Sequence, residues 1–178
     1  MRASISVILK KDKDAEECSS YRPISLLNVD FKIAAKILAR RLEKILPKLI
    51  DPDQTGFVKA RFGSDNLRRV LNIVNHLNVD RQSAIIASLY AYKAFDRVDY
   101  RFLFAVLEKV SLGHPFIKLV RLLYSNPMAT VSTNGLLSES FPIGRGCRQG
   151  CPLSPLLFAL VIEPLAELEL AQISTVLQ

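Results

Sequence analysis

Asn134 and Gly135 stand between two short runs, Met128–Thr133 and residues 136–141, that carry β-forming side chains. A two-residue hairpin turn needs positive φ at both central positions, which Asn and Gly tolerate, so the pair predicts an antiparallel hairpin. Much of the remaining chain has helical spacing. Strand and helix do not alternate regularly along it, and no Gly-x-Gly-x-x-Gly nucleotide loop is present. The fold class read from this order is α+β, with several helices around an incomplete antiparallel sheet.

The helices are visible as stripes. Phe31, Ala34, Leu38, Leu42, Ile45 and Leu49 recur at three- and four-residue spacing, with Asp30 as cap and Pro47 as terminator. Lys32, Lys36, Arg40, Lys44 and Lys48 drift around another face, and the helix bases Lys32, Lys36, Arg40, Arg41 and Lys44 read as solvated surface. Ser64 is placed to cap a second helix with an inner stripe of Leu67, Val70 or Leu71, Val74 and Leu77. Asp99 is the expected cap of a helix over 100–110, and a further helix is expected over 116–124. Ser154-Pro155 opens another, since Pro in the first turn loses no needed amide bond; Pro164 is expected to disturb it. Residues 5–9 suggest a strand leading to a charged loop, and residues 23–30 an irregular stretch. Residues 83–89, with Ala84, Ile85, Ile86 and Ala87 at the centre, read as a buried strand.

Composition narrows the function. Of 178 residues, 49% are hydrophobic and 23% charged, which excludes a disordered tail. The net charge of +7 favours a polyanionic partner, and its distribution says where. Residues 18–72 hold eleven basic and five acidic side chains, whereas residues 1–17 are neutral in sum and residues 149–178 contain no base. Cys18, Cys147 and Cys151 form no Cys-x-x-Cys pair and His76 and His114 are the two histidines, so a zinc site has poor material. With no hydrophobic leader and no apolar run near the length of about 18 residues that spans a bilayer, the expectation is an intracellular protein without membrane contact. Nuclear and cytoplasmic locations stay equally open, as does oligomeric state.

Four ordered segments carry a family resemblance. They are Ser20-Tyr21-Arg22-Pro23-Ile24-Ser25-Leu26-Leu27, Gln54-Thr55-Gly56-Phe57, Lys93-Ala94-Phe95-Asp96, and Gly146-Cys147-Arg148-Gln149-Gly150-Cys151-Pro152-Leu153-Ser154-Pro155. Over about residues 3–170 the chain resembles the reverse transcriptase domain of non-LTR, LINE-type retrotransposons. That resemblance implies right-hand polymerase architecture, with a fingers-like region at 1–82 and a partial palm with inserted fingers elements at 83–178. It implies template-directed transfer of deoxynucleotides to a primer 3′ end, with RNA template, DNA primer, deoxynucleoside triphosphates and Mg2+ in the parent family.

By the same resemblance Phe95 stands at the sugar gate and Asp96 is a supporting residue. Arg22, Lys59, Arg61, Arg148 and Gln149 are implied nucleotide or template contacts, chemistry that suits cations and amides. Gly150 is implied to let the backbone approach a base or sugar closely. Two departures stand out. Tyr90 occupies the position of the first catalytic aspartate, and a phenol with a reference pKa near 10 brings no anionic charge to Mg2+ at neutral pH. The family's other carboxylates lie in an aromatic-x-Asp-Asp hairpin, and no Asp-Asp pair occurs in the 178 residues. The expectation is therefore no intact catalytic set, no protein metal site and no productively held Mg2+. Three readings follow: an inactive fragment of an RNA-directed DNA polymerase, a noncatalytic RNA- or DNA-binding module, or an unstable remnant without function.

Overall fold

The structure, a computed structural model, describes residues 2–81, 83 and 85–176, with 168–176 by backbone alone. The strands are β1 (Arg2–Leu9), β2 (Tyr21–Leu26), β3 (Met128–Thr133), β4 (Leu136–Leu137) and β5 (Phe141–Pro142). The helices are α1 (Val29–Ile45), α2 (Gly63–Val79), α3 (Tyr100–Lys109), α4 (His114–Leu123) and α5 (Ser154–Val176). This is an α+β fold, and its sheet is open, in the order β2-β1-β3-β4 with β5 also on β3.

The hairpin forms where Asn134 and Gly135 stand, with φ of 50° and 77°. Its returning strand is broken in two. Ser138 donates its N–H to the Val131 carbonyl at 2.9 Å, and its hydroxyl accepts the Val131 N–H at 2.9 Å. A side chain thus takes the place of a ladder bond, and β4 and β5 form on either side of it. The other edge of β3 pairs in parallel with β1, Arg2 opposite Met128 and Ser6 opposite Ser132, so the sheet is mixed. β1 also pairs antiparallel with β2. The stretch expected to be irregular up to Asp30 is therefore a strand through Leu26. Pro23 is tolerated because β2 is the sheet edge.

The core lies among α1, α3, α4 and α5. Leu42, Leu46, Leu103, Leu107, Leu153, Leu157 and Leu160 are fully buried there. The buried face of α1 is Ala35, Leu38, Ala39 and Leu42, while Ala34 and Ile45 of the expected stripe are exposed. Asn28 rather than Asp30 precedes the first turn. Asp99 caps α3 as expected, accepting from the Arg101 N–H at 2.7 Å and the Phe102 N–H at 3.4 Å. α5 continues through Pro164.

Two larger expectations are also corrected. α2 starts at Gly63 on Phe62, whose N–H donates to the Asp65 carboxylate at 3.2 Å, so Ser64 is not its cap. Its apolar residues do not form a core face either: Leu67, Val70 and Leu71 are exposed, with Val74 and Leu77 half-buried. Polar contacts tether it instead, through Arg69 to Asp53 and Asn66 Nδ2 to the Asp53 carbonyl at 2.8 Å. The second correction is the buried strand at 83–89. Residues 85–90 have no regular structure, and Ile85 is 89% exposed. Among the described residues no strand pairs with them, and β-forming side chains without a partner edge do not make a strand. Ala84 lies outside the described residues.

Candidate functional site

Local backbone chemistry builds the site around the loop 144–150. The Gly146 N–H donates to the Val98 carbonyl at 2.8 Å, and the Cys147 N–H to the Phe95 carbonyl at 2.7 Å. Further along, the Ser25 N–H of β2 donates to the Gln149 carbonyl at 2.7 Å. The loop is thereby clamped between the 3-10 turn Ala94–Arg97 and the sheet edge. Lys93 enters that turn in the left-handed region, at φ 51°.

A cleft of about 580 Å3 opens at this junction. It brings together Arg22, Tyr90 with Asp96, and Gln149 from three separate stretches of the chain. Gln149 Nε2 lies 3.5 Å from Asp96 Oδ1, on which it donates. Lys10, Lys13 and Lys93 add positive charge to the lining, and Tyr21 and Tyr92 add aromatic rings. The Lys93 ammonium lies 5.3 Å from the centre of the Tyr92 ring, within range of a cation–π attraction. Four cations thus face one carboxylate. Such a lining suits phosphates, with aromatic faces on which bases can stack.

Sequence reasoning missed Lys10, Lys13 and Tyr92, and gave no role to Tyr21 and Lys93 although both stand in the quoted segments. For Lys10 and Lys13 the signal was masked, since residues 1–17 are neutral in sum, whereas Asp12, Asp14, Glu16 and Glu17 are not among the residues that line the cleft. Lys10 is held by its own ammonium, which donates to the Ser19 carbonyl at 2.8 Å. The Tyr21 hydroxyl donates to the Ala15 carbonyl at 2.9 Å.

The other expected site residues lie elsewhere. The Phe95 ring stacks on Phe158 at 4.3 Å between centroids and meets Phe57 edge-on at 5.6 Å, so it packs on the core. Arg61 donates to the carbonyls of Asp51, Gln54 and Pro47, binding the turn after α1 into place. Arg148 is 6% exposed, its guanidinium 5.3 Å from the Phe31 ring centre and 5.5 Å from that of Tyr124. Lys59 lines a second groove against α1. What approaches Gly150 is the backbone of β2.

Carboxylates do not converge on the cleft. Asp99 is turned to the α3 N-terminus, and the Arg101 amide, its largest influence, holds its pKa below the ordinary carboxylate value. Tyr90 is 86% exposed at the cleft. Among the described residues no three Asp, Glu, His or Cys side chains group as metal ligands. A pair of divalent ions clamping a phosphoryl group needs several such ligands. The donor set present does not fit a two-metal centre.

Fold and cleft together define a class: an open α+β scaffold carrying a cationic, phenol-lined cleft at the junction of sheet edge and glycine loop. The chain belongs to the reverse transcriptase (RNA-dependent DNA polymerase) family, which residues 8–176 match. It is similar to the transposon TX1 uncharacterized 149 kDa protein of Xenopus laevis, 36% identical over 163 residues, 92% of this chain and 12% of that protein. It is 32% identical over 165 residues to the Pol polyprotein of the type-2 retrotransposable element R2DM of Drosophila melanogaster, 93% of this chain and 15% of that one. Against the RNA-directed DNA polymerase from the mobile element jockey of the same fly it is 31% identical over 160 residues, 89% and 17% of the two chains. The chain thus spans a small part of the relatives it matches, which are proteins of non-LTR retrotransposons. Among the described residues no helix is long and apolar enough to cross a membrane.

Proposed function

We propose that this chain is the fingers (1–82) and part of the palm (83–178) of a retrotransposon reverse transcriptase, and that it holds nucleic acid in the basic cleft without transferring nucleotides. In the parent activity a template directs deoxynucleotides onto a primer 3′ end, so RNA template and DNA primer are the proposed partners. Tyr90 carries the reading. It lines a cleft with Lys10, Lys13, Arg22 and Lys93, where the family resemblance implies the first catalytic carboxylate. The four cations favour an anionic ligand, and a phenol at position 90 stands where the resemblance implies a carboxylate for Mg2+.

The test is primer extension on an annealed RNA template and DNA primer, with Mg2+ and all four deoxynucleotides, resolved to single nucleotides. No extension is expected, while the same hybrid is retained by the protein at low salt. The change Tyr90→Asp alone is expected to leave extension absent, because one carboxylate cannot replace those of the aromatic-x-Asp-Asp hairpin, and no Asp-Asp pair occurs in the 178 residues. Template-dependent extension by the unaltered chain would overturn the proposal.

A further inference from the structure

Lys32, Lys36, Arg40 and Lys44 along α1, with Lys48 in the turn beyond it, are spaced four residues apart, and all five are exposed. At a rise of about 1.5 Å per residue this is one cation per roughly 6 Å, in a row that winds slowly round the helix. Near the end of the row, Arg40, Arg41 and Lys44 meet Lys59 from the loop before α2 and enclose a groove of about 430 Å3. None of its lining is shared with the cleft described above.

Four other arginines of this protein are occupied. Arg61 holds three carbonyls, Arg69 pairs with Asp53, Arg121 bonds Glu108 at 2.7 Å, and Arg148 lies between two rings. Among the described residues, Arg40, Arg41, Lys44 and Lys59 make no side-chain hydrogen bond and no ion pair. Like charges four residues apart on a helix repel, and among the described residues none of these cations forms an ion pair that would offset the repulsion. Glu43 is the one acid lining the groove.

We infer that α1 and Lys59 form a second nucleic-acid contact, a groove that takes the phosphodiester backbone and reads no base. The inference rests on the nucleic-acid reading above and adds a surface to it. Cations some 6 Å apart can each take a separate phosphate along a single strand, and every phosphate neutralised releases condensed counterions. The groove is lined by Arg40, Arg41, Lys44 and Lys59 together with Ile37 and Glu43, so a phosphodiester strand laid along it meets four cations and one acid.

The experiment uses the full chain and labelled oligouridine RNA, with anisotropy followed across a KCl series. Three variants are compared: Arg40→Gln/Lys44→Gln/Lys59→Gln on the groove, Lys13→Gln/Arg22→Gln/Lys93→Gln on the cleft, and Arg40→Lys/Lys44→Arg/Lys59→Arg as a charge-keeping control. Loss of three single-strand phosphate contacts is expected to lower the slope of log K against log [salt] by about 2 in the groove variant, with no change in the control. Lys59→Gln alone, in an exposed loop, is expected to lower it by about 0.7 and covers the case in which the triple variant fails to fold. A groove effect without a cleft effect would support this contact and sink the cleft. A cleft effect with an unchanged groove slope would overturn the contact alone, and no binding by the unaltered chain would overturn both. An unchanged RNA slope together with lost retention on vesicles of phosphatidylcholine and phosphatidylserine would assign the face to a membrane, and also overturns the inference.

Discussion

The carbonyl oxygen of Ser25 lies 2.6 Å from the point that a β carbon on Gly150 would occupy. Gly150 also has a φ of +105°, where side chains are strained regardless of space. The glycine loop and the edge strand β2 are therefore in backbone contact, and the Ser25–Gln149 hydrogen bond seals the same junction. Arg22 and Gln149 reach one cleft because of it.

Gly150→Ala should accordingly destabilise the fold by about 1–3 kcal/mol, the range for a residue held in a sparsely populated conformation. Gly144→Ala is the comparison, since its β carbon meets nothing within 4 Å and its φ is not positive. Urea unfolding midpoints measure the difference. Equal midpoints for the two variants would show that the junction yields at no cost.

Arg61 and Lys59 should separate in their effects. Arg61→Ala removes the donor to three carbonyls and is expected to lower stability by about 1–3 kcal/mol. Lys59→Ala, exposed and without a partner among the described residues, should stay within about 0.5 kcal/mol. In RNA titrations the order reverses: Lys59→Ala flattens the salt slope and Arg61→Ala leaves it unchanged. A reduced slope for Arg61→Ala would mean that the guanidinium leaves its carbonyls for phosphate.

Burial pushes the Cys147 thiol up from 9.0 to about 12. Below pH 9 both folded and unfolded chains keep this proton, so stability is level in pH. Between 9 and 12 the unfolded chain releases it and the folded one does not, so stability falls as pH rises. Tyr100 and Tyr124, raised chiefly by burial, act in the same direction from about pH 10 upward. Urea melts in this alkaline range should show the fall, and Cys147→Ala should flatten its first part. Iodoacetamide near pH 8 should label Cys18 in the native protein, with the buried Cys147 and Cys151 reacting only after unfolding. Rapid native labelling of Cys147 would contradict its burial.

Residues 85–90 should exchange their amides at the earliest times sampled, while the core-facing turns of α5 around Leu157 and Leu160 stay protected. Mass spectrometry of peptic fragments reads both. Strong protection over 85–90 in a monomer would restore the strand that its apolar run suggests.

What could be read before folding was local. Asn134-Gly135 specifies its turn by backbone geometry, Asp99 caps α3 through its own side chain, and Ser154-Pro155 opens α5; none of these needs a distant partner. The failures share the opposite property. Residues 83–89 have strand-forming side chains, but a strand requires an edge to pair with. Leu67, Val70 and Leu71 keep helical spacing without a surface to bury them. Charge says that Arg61 and Arg148 are cations, and leaves open whether each meets phosphate, carbonyl or aromatic ring. At the cleft, Arg22 and Gln149 were visible in their motifs, whereas Lys10 and Lys13 were hidden by neighbouring acids that cancel them in any sum.

The parallel pairing of β1 with β3 joins Arg2 to Met128, residues from opposite parts of the chain. On a ribosome the hairpin-like pair β1–β2 emerges before β3, which follows only after the intervening helices have been made. At roughly 5–20 residues per second, that interval is on the order of 10 s. Throughout it, the inner edge of β1 has no mate and is open to any passing strand. The chronology of synthesis, set by one register, thus makes the nascent chain more exposed to mispairing than the finished one.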